Sequence, residues 1–430
     1  MCSRFNSFSV QFLVVLLSVV WVNSACAIPA FSRQHKTECT TCHTIYPELN
    51  EYGEAFRKNG YVYTGKTQLS KDVEASAGTV KNGQPQEQRG KANEGLWLAG
   101  IPELLPISMA ATLNLDYDEH PANGDKLDLS ARAIVINAGG AFRDKAGFFI
   151  AYNAYSQNDS NSSKGGLPLN NQPDITELFL VWRHLFNTPV NIKAGRFEPK
   201  LSLWKSKDNI TVSALAPAAY SVGASQFKLD GPEDGLEANA VIGNRLFAAA
   251  GVVNRKGQNT KEGYGHLSCK FGGADFLGNE PSLDLESDSF WDYFSATIGA
   301  YGYYGRNANT ATTIADYYYR GGVDLDLLYK RLRVRFSGVE GQDNNPNYAP
   351  VRTALHSFVL ASEAEYLFNS QVIGAFRYEY QDDGAGITRR YIPTVAYAPL
   401  QNTRLVLEYK YESAPLTIDR IAVLGATFSF

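Results

Sequence analysis

Residues 403–412 have the sequence TRLVLEYKYE, in which polar and apolar side chains alternate. Successive side chains of a β-strand point to opposite sides, so Leu405 and Leu407 share one face. Arg404 and Glu408 share the other face. An apolar face backed by a charged face suits a strand with lipid on one side and water on the other. The stretch therefore predicts a strand of a membrane-spanning β-barrel.

The same alternation recurs in about sixteen segments of roughly ten residues, separated by polar or Gly-rich turns. Sixteen strands enclose a channel too wide for the wall's own side chains to fill. A soluble β-sandwich or propeller is the alternative, since its strands alternate too. The expected strands begin near Ile107, Leu127, Gly147, Ile175, Val190, Leu236, Leu246, Tyr264, Phe290, Ile314, Leu332, Leu355, Val372, Arg389, Thr403 and Arg420.

The connections between these strands predict how the barrel lies. Those after even-numbered strands are short: 185–189, 243–244, 328–330, 368–371 and 399–401. Long polar ones, such as 157–172, 198–235 and 340–351, follow odd-numbered strands. Outer-membrane barrels have short turns on the periplasmic side. The start of the first strand and the end of the last strand are therefore both expected on that side. The last ten residues, IAVLGATFSF, end on Phe430, which is typical of the final strand of such a barrel.

The amino terminus has the pattern of an export signal. Arg4 precedes an apolar run over 12–22, and an A-x-A cleavage site lies at 25–27. The predicted signal peptide therefore spans 1–27, with acylation of Cys26 as the rival interpretation. Loss of Arg4 would move the net charge from −4 to about −5. That weakly acidic balance indicates no nucleic-acid partner.

Three further units are predicted along the mature chain. A compact module covers 28–63, a polar linker covers 64–96, with no aromatic residue over 64–95, and the barrel covers 97–430. The fold class is therefore all-β, an outer-membrane antiparallel barrel of about sixteen strands with a small α-helical module at its amino terminus. Only three cysteines remain after cleavage, too few for a disulfide scaffold in an exported chain of this length.

Cys39-Thr40-Thr41-Cys42-His43 is a C-x-x-C-H motif shortly after the export signal. It predicts one covalently bound haem c, with thioether bonds to Cys39 and Cys42 and with His43 as the proximal iron ligand. A structural thiol pair is the bland alternative. A zinc site is disfavoured because a second cysteine pair or a paired histidine set is missing.

The residues after the motif predict a helix that covers the haem. Pro47 suits its first position, and Asn59-Gly60 suits its end. Charges favourable to the helix dipole lie in its first and last turns: Glu48, Glu51, Arg57 and Lys58. An apolar stripe is formed by Leu49, Tyr52 and Phe56, beside which Gly53 is expected to let the backbone approach a flat ring.

The distal iron ligand stays open among Met109, His35, water and none. Met109 is the only methionine of the mature chain, but alternation assigns it to the lipid face, whereas His35 lies close to Cys39 in sequence. Cys269 is predicted to be an unpaired thiol on an apolar face. The remaining histidines are expected to be surface or lumen residues: His120, His184, His266 and His356.

Inward charges of the later strands are predicted to form a solvated lumen wall, which as a set could also hold the module. These are Arg333, Arg335, Glu363, Glu365, Arg377, Glu379, Glu408 and Lys410. Carboxylates near the first outer loop, Asp116, Asp118 and Glu119, are expected to be solvated loop residues.

About thirty-five residues resemble the start of the fused monohaem cytochrome–porins of the outer membrane, best known from iron-oxidising bacteria. The matching residues are Pro29-Ala30-Phe31-Ser32-Arg33-Gln34, the C-x-x-C-H motif, Tyr46-Pro47-Glu48-Leu49-Asn50, Gly53, Phe56 and Asn59-Gly60-Tyr61. A weaker resemblance, to phosphate-selective porins, lies in Gly195-Arg196-Phe197-Glu198-Pro199.

The resemblance implies an oxidoreductase of the ferrous-iron oxidase type. Extracellular Fe(II) would be the electron donor, a periplasmic cytochrome c the acceptor, and outer-membrane lipid the surrounding medium. By resemblance, Cys39, Cys42 and His43 carry the haem. The alternatives are a conduit with another donor or with reversed flow, and a solute porin whose haem module is a plug or a redox sensor.

Overall fold

The computed structural model describes residues 30–35, 37–62, 107–121, 126–142, 145–156, 174–228, 231–254, 260–281, 289–309 and 314–430. The predicted signal peptide and linker lie outside these ranges. In the part of the chain so described, no helix is both long and apolar enough to cross a lipid bilayer.

Sixteen antiparallel strands form a closed barrel, called the wall below. Strands β1 and β18 pair from Asp118↔Ile421 to Ala110↔Ser429 and so close it. The wall strands are β1 Ile107–Asp118, β2 Leu127–Phe142, β3 Ala146–Ser156, β4 Asp174–Trp182, β5 Val190–Phe197, β8 Glu233–Ile242, β9 Leu246–Asn254, β10 Lys261–Gly272, β11 Phe294–Ala308, β12 Ala315–Tyr329, β13 Leu332–Asp343, β14 Leu355–Asn369, β15 Val372–Asp382, β16 Ile387–Leu400, β17 Thr403–Ser413 and β18 Ile418–Ser429. A separate hairpin consists of β6 Ala219–Val222 and β7 Ser225–Lys228.

The predicted barrel and its strand count are confirmed. One expected start is wrong: Phe290 opens a single helical turn, Phe290–Tyr293, and β11 begins only at Phe294. Ser289 causes this difference, because its side chain accepts from the Trp291 backbone N–H and Asp292 caps the turn in return.

Alternation sets the two faces of the wall as predicted. On β12, the side chains of Tyr319 and Val323 are 50% and 55% exposed on the outside. Asp316, Arg320 and Asp324 point inward and are at most 2% exposed. The inward charges are therefore covered by protein, which a water-filled channel would not provide.

The connections after even-numbered wall strands, counted in order around the wall, are short as predicted, with one exception. Two that follow odd-numbered wall strands, 383–386 and 414–417, are short against the prediction. Strand β1 begins, and β18 ends, at what we call the entry end of the barrel. Short connections such as 143–145, 243–245 and 330–331 lie there. The exception is 273–293, a long connection at the entry end between β10 and β11. Its described residues around Ala274 and Phe276 contact the amino-terminal module, as described below.

Two parts of the chain lie inside the wall. The first, called the module, is residues 30–35 and 37–62, with helices α1 Ala30–His35 and α2 Glu51–Lys58. The second, called the inserted segment, is 198–228 and 231–232, which joins β5 to β8 and carries the β6–β7 hairpin. It enters from the end opposite the entry end.

Helix α2 begins later than predicted. Its cap is Asn50, whose side chain accepts a hydrogen bond from the Gly53 N–H at 2.9 Å. Pro47 therefore lies in the preceding turn, and Glu48 is free to point at the wall. The predicted end is confirmed, because Asn59 is the last capping residue and Gly60 has a φ of 65°.

Candidate functional site

The C-x-x-C-H motif forms one tight helical turn, Cys39–Thr41. Within it, the backbone N–H groups of Cys42 and His43 donate to the Cys39 carbonyl at 3.1 and 3.0 Å. Residues three and four positions apart lie on one face of such a turn. The spacing of this turn therefore puts residues 39, 42 and 43 on one face, which is the arrangement that the predicted attachment needs.

His43 is held in one tautomer. Its Nδ1 lies 3.1 Å from the Pro47 carbonyl oxygen and 3.3 Å from that of Glu48. Two acceptors at Nδ1 require a proton there, which leaves a lone pair on Nε2 for a metal. Burial lowers the pKa of His43 below 6.5, outweighing the opposing effect of these carbonyls. The neutral imidazole is the form that ligates iron.

Both motif cysteines are free of disulfide bonds in the described chain. Burial raises the pKa of Cys39, and it raises the pKa of Cys42 to about 11. Among the described residues, no group of three or more His, Cys, Asp or Glu side chains could hold a metal ion. In the described chain, the two thiols therefore remain available for the predicted thioether bonds.

Asn50 and Gly53 fasten the motif to helix α2. The Asn50 side chain donates to the carbonyls of Thr40 and Thr41 at 3.0 and 3.1 Å. A Cβ on Gly53 would lie 2.1 Å from the Cys42 carbonyl oxygen. The backbone that Gly53 approaches closely is thus that of the motif itself. The expectation that this glycine makes room for a flat ring is replaced by a packing role between helix and motif turn.

Glu48 anchors the module to the wall. It is 1% exposed, and its Oε1 lies 2.7 Å from Arg333 Nη1 and 3.4 Å from Arg335 Nη2. Arg335 also pairs with Glu363 at 2.7 Å and with Glu365. The same Glu48 backbone carbonyl faces His43. Glu48 therefore contacts a buried ion-pair cluster through its side chain and the candidate iron ligand, His43, through its backbone carbonyl.

Further contacts hold the module at the entry end. The Cys39 N–H donates to the Gln401 side chain at 3.2 Å, in the β16–β17 connection. Tyr61 stacks on Phe149 of β3 at 5.2 Å between ring centroids. The long 273–293 connection contributes too, because the Asn59 side chain donates to the Phe276 carbonyl at 2.8 Å.

The inserted segment reaches the module from the other side. Arg57 of α2 pairs with Asp208 of this segment. The next residue, Asn209, accepts from Arg335 at 3.1 Å through its side chain and from Arg404 at 3.1 Å through its carbonyl. The two lumen contents thus meet at a shared set of wall arginines.

The predicted solvated lumen wall is wrong for most of the inward charges. Arg377 and Glu408 are 0% exposed, and they bond to the inserted segment. Arg377 donates to the Thr211 hydroxyl at 2.7 Å, while Glu408 accepts from the Ser213 N–H at 2.9 Å. Lys410 keeps only a rim contact with Glu412, at 3.6 Å. These inward charges are buried against the inserted segment, which folds back into the lumen, and are not solvated as expected.

The distal candidates lie apart from each other. Met109 is on β1, on the outward face with Ile107 and Leu113, as alternation predicts. His35 ends α1, and its ring lies 5.6 Å from that of Phe56. Cys269 follows Leu267 on the outward face of β10.

The other histidines and the loop carboxylates have ordinary structural positions. His266 is buried inside the wall beside Phe247, whereas the other three are exposed: His120, His184 and His356. Asp116 pairs with Arg132, and Glu119 pairs with Arg420 at 3.0 Å. None of these residues adds to the motif.

Sequence reasoning missed the residues that fix the module in the lumen. Asp208 and Asn209 lie in a polar loop with no motif, and Glu48 was expected to be a helix residue. The only signal in the sequence was indirect. The inserted segment is a long connection with charged residues at intervals, and the inward faces of the wall strands carry charges of opposite sign.

Comparisons with known proteins show the fold. No protein-family model and no curated protein sequence matches the chain. Among solved structures, the outer membrane channel DcaP of Acinetobacter baumannii is similar over 77% of this chain and 100% of its own, with 12% identity and a TM-score of 0.52. The anion-selective porin from Comamonas acidovorans matches 75% of this chain and 98% of its own, with 10% identity and a TM-score of 0.52.

A third likeness has the same extent. Outer-membrane expressed OmpT of Vibrio cholerae is similar over 77% of this chain and 99% of its own, with 10% identity and a TM-score of 0.51. The chain thus has the sixteen-strand fold of outer-membrane porins, which supports the expected outer-membrane location. Identities this low show the fold alone.

Proposed function

We propose that this porin-type barrel is an outer-membrane electron-transfer protein that oxidises extracellular Fe(II). Cys39 and Cys42 would hold one haem c by thioether bonds, and His43 would be its proximal iron ligand. When bound, the haem supplies a one-electron couple between the external donor and a periplasmic cytochrome c. The start of β1 and the end of β18 would both lie on the periplasmic side.

One observation carries the proposal: the C-x-x-C-H turn is docked inside the barrel. The apolar band of an outer-membrane barrel is about 25 Å tall. Electron tunnelling decays steeply with distance, so a single redox centre serves both sides of the membrane only from within the wall. The Glu48–Arg333 pair and the Cys39–Gln401 hydrogen bond support that position.

The chain's own residues have defined tasks in this scheme. The carbonyls of Pro47 and Glu48 orient His43 and keep the proton on Nδ1, so that the lone pair of Nε2 would be available to the haem iron. Arg335 neutralises Glu48 and fixes the turn that carries these carbonyls. The inserted segment contacts this side of the module and the wall through Asp208, which pairs with Arg57, and Asn209, which accepts from Arg335.

A second candidate is a solute porin whose module is a plug or a redox sensor. The similar structures favour it, because one is an outer membrane channel and another is an anion-selective porin. Single-channel conductance of the haem-loaded protein in a planar bilayer separates the two. An open, ion-selective pore would support the porin, and a closed lumen would support the conduit.

The primary experiment is anaerobic stopped-flow absorbance of the haem-loaded protein in detergent, mixed with Fe(II). We expect rapid reduction of the ferric protein by Fe(II). A His43→Ala variant that still attaches haem should lose at least a hundredfold in rate, because the iron has lost its ligand. His120→Ala, at an exposed histidine, is the matched control and should behave as the wild type.

Two outcomes would contradict the proposal. Covalent haem absent from denatured wild-type protein would remove the cofactor altogether. Reduction by dithionite but not by Fe(II) would leave the cofactor and exclude iron as the donor. Rapid oxidation of the reduced protein by an external acceptor, without reduction by Fe(II), would favour a conduit with reversed flow.

A further inference from the structure

A small, strongly charged cavity lies between the module and the wall. Its volume is about 60 Å³, and helix α2, strands β4, β5 and β8, and the inserted segment line it. Its basic lining residues are Arg57, Lys58, Lys193, Lys200, Lys205 and Lys207. It is distinct from the C-x-x-C-H turn, and none of its residues has a task in the proposed electron transfer.

Most of these cations have a carboxylate partner at short distance. Lys205 and Lys207 both lie 2.7 Å from Glu198, and Lys58 lies 2.7 Å from Glu54. Arg57 pairs with Glu54 and, across the cavity's edge, with the inserted segment. These pairs account for four of the six basic groups.

Lys193 and Lys200 are different. The Lys200 ammonium is buried without a hydrogen-bond partner, and its nearest carboxylate, Glu54, is 3.9 Å away. Lys193 is 3.8 Å from Glu237. Neither carboxylate is available to move closer, because Glu54 already holds Lys58 and Glu237 accepts from the Tyr264 hydroxyl at 2.5 Å.

The local charge balance leaves an excess of positive charge. The six lining cations face three lining carboxylates, and Glu54 and Asp208 pair with Arg57 from outside, so six minus five leaves one positive charge. An uncompensated buried charge is costly. Burial accordingly lowers the pKa of Lys58 and of Lys200. An anion in the cavity would stabilise the charged form of both.

The size of the cavity selects the anion. One water needs about 10–15 Å³ of such volume, so the cavity has room for about four to six water-sized groups. We propose that it binds one small inorganic oxyanion of the size of phosphate, held by Lys193 and Lys200. Because Lys193 belongs to β5 and Lys200 to the inserted segment, the anion would join the inserted segment to the wall, beside Lys58 of α2.

The test measures binding of radiolabelled inorganic phosphate to the haem-loaded full chain in detergent, by equilibrium dialysis. We expect one saturable site per chain. Lys200→Met should weaken phosphate binding at least tenfold, whereas Lys126→Met, at an exposed lysine, should leave it unchanged. Lys193→Met provides a second variant if Lys200→Met does not fold.

A thermal melt gives an independent readout. Phosphate should raise the Tm of the wild type and not that of Lys200→Met. Without phosphate, the variant should be at least as stable as the wild type, because it removes a buried charge that lacks a close partner. Absence of saturable phosphate binding to the wild type, or equal binding by Lys200→Met and wild type, would overturn the proposal.

Discussion

The wall and the contents of this barrel are stabilised in different ways. In the wall, backbone hydrogen bonds run from each strand to the next around a closed ring, and apolar side chains face outward. The contents are short on regular structure: α2 spans only Glu51–Lys58, and the inserted segment carries one small hairpin. Ion pairs and side-chain hydrogen bonds to the wall hold them instead.

This difference separates two kinds of failure. A strand keeps its backbone bonds whichever side chain it carries, so the wall tolerates many substitutions. The module is too small for a core of its own, so its position depends on a few buried charges. Damage to those charges should release the contents while the barrel remains closed. Three substitutions or conditions test that separation.

The largest effect is expected from Arg335→Met. The arginine is 4% exposed and pairs with Glu48, Glu363 and Glu365. Without it, Glu48 keeps Arg333 and Glu363 keeps the more distant Arg377, but the buried Glu365 loses its ion-pair partner. Breaking a buried pair in this way costs about 3–5 kcal/mol. Because Arg335 also covers the Trp204 ring at 4.8 Å, tryptophan fluorescence in a denaturant titration reports the loss.

Arg420→Met is the matched control for that prediction. Arg420 pairs with Glu119 in an exposed position, where water screens the charges. We expect an unchanged fluorescence transition. For Arg335→Met, the folded barrel should persist in gel mobility without heating, and simultaneous loss of barrel and contents would contradict the separation.

A smaller effect is expected from Gly147→Ala. Gly147 lies on β3 where the wall meets the module, and a Cβ there would lie 1.7 Å from the Gly60 carbonyl oxygen. Overpacking of this kind costs about 1–3 kcal/mol. Gly302→Ala on β11 is the control, since a Cβ there meets nothing within 4 Å. Equal thermal melts for the two variants would show that the module does not press on β3.

The smallest effect is expected from acid. Burial alone would raise the pKa of Glu54, but Arg57, Lys58 and Lys200 outweigh it and hold the pKa well below 4.5. Glu198 is similarly lowered, against its own burial, by Lys205 and Lys207. A carboxylate with a lowered folded-state pKa stabilises above its unfolded value and loses that contribution as the pH falls toward the folded value.

The contents should therefore loosen progressively below about pH 4.5, while the backbone bonds of the wall do not titrate. Tryptophan fluorescence and far-ultraviolet circular dichroism, recorded over the same acid titration, distinguish the two regions. Loss of both signals at one pH would contradict the prediction. Stability of the contents that does not fall below pH 4.5 would show that Glu54 and Glu198 do not contribute to it.

The wall could be predicted closely because its signal is local. Each strand carries its own alternation, as 403–412 does, and the starts of β1, β2, β13 and β17 coincide with the expected residues. The start of β11 could not be predicted closely, because a helical turn capped by Ser289 precedes it within the same apolar run. The motif turn could be predicted equally well, because C-x-x-C-H specifies two thiols and one imidazole within five residues.

The position of the motif could not be predicted from the same information. Glu48 and Arg333 are separated by 285 residues, and Arg57 and Asp208 by 151. Taken alone, each of these charged residues is typical of a water-filled channel. Only the folding of the inserted segment into the lumen makes them partners, and that depends on charge complementarity between distant parts of the chain.

The sequence by itself determined a closed barrel of alternating strands and a C-x-x-C-H turn near its start, because periodicity and short motifs act over neighbouring residues. The tertiary structure alone decided that the lumen is occupied, that His43 is oriented by two carbonyls, and that Lys193 and Lys200 share a cavity. Those features arise from burial, which brings together charges that no local pattern relates.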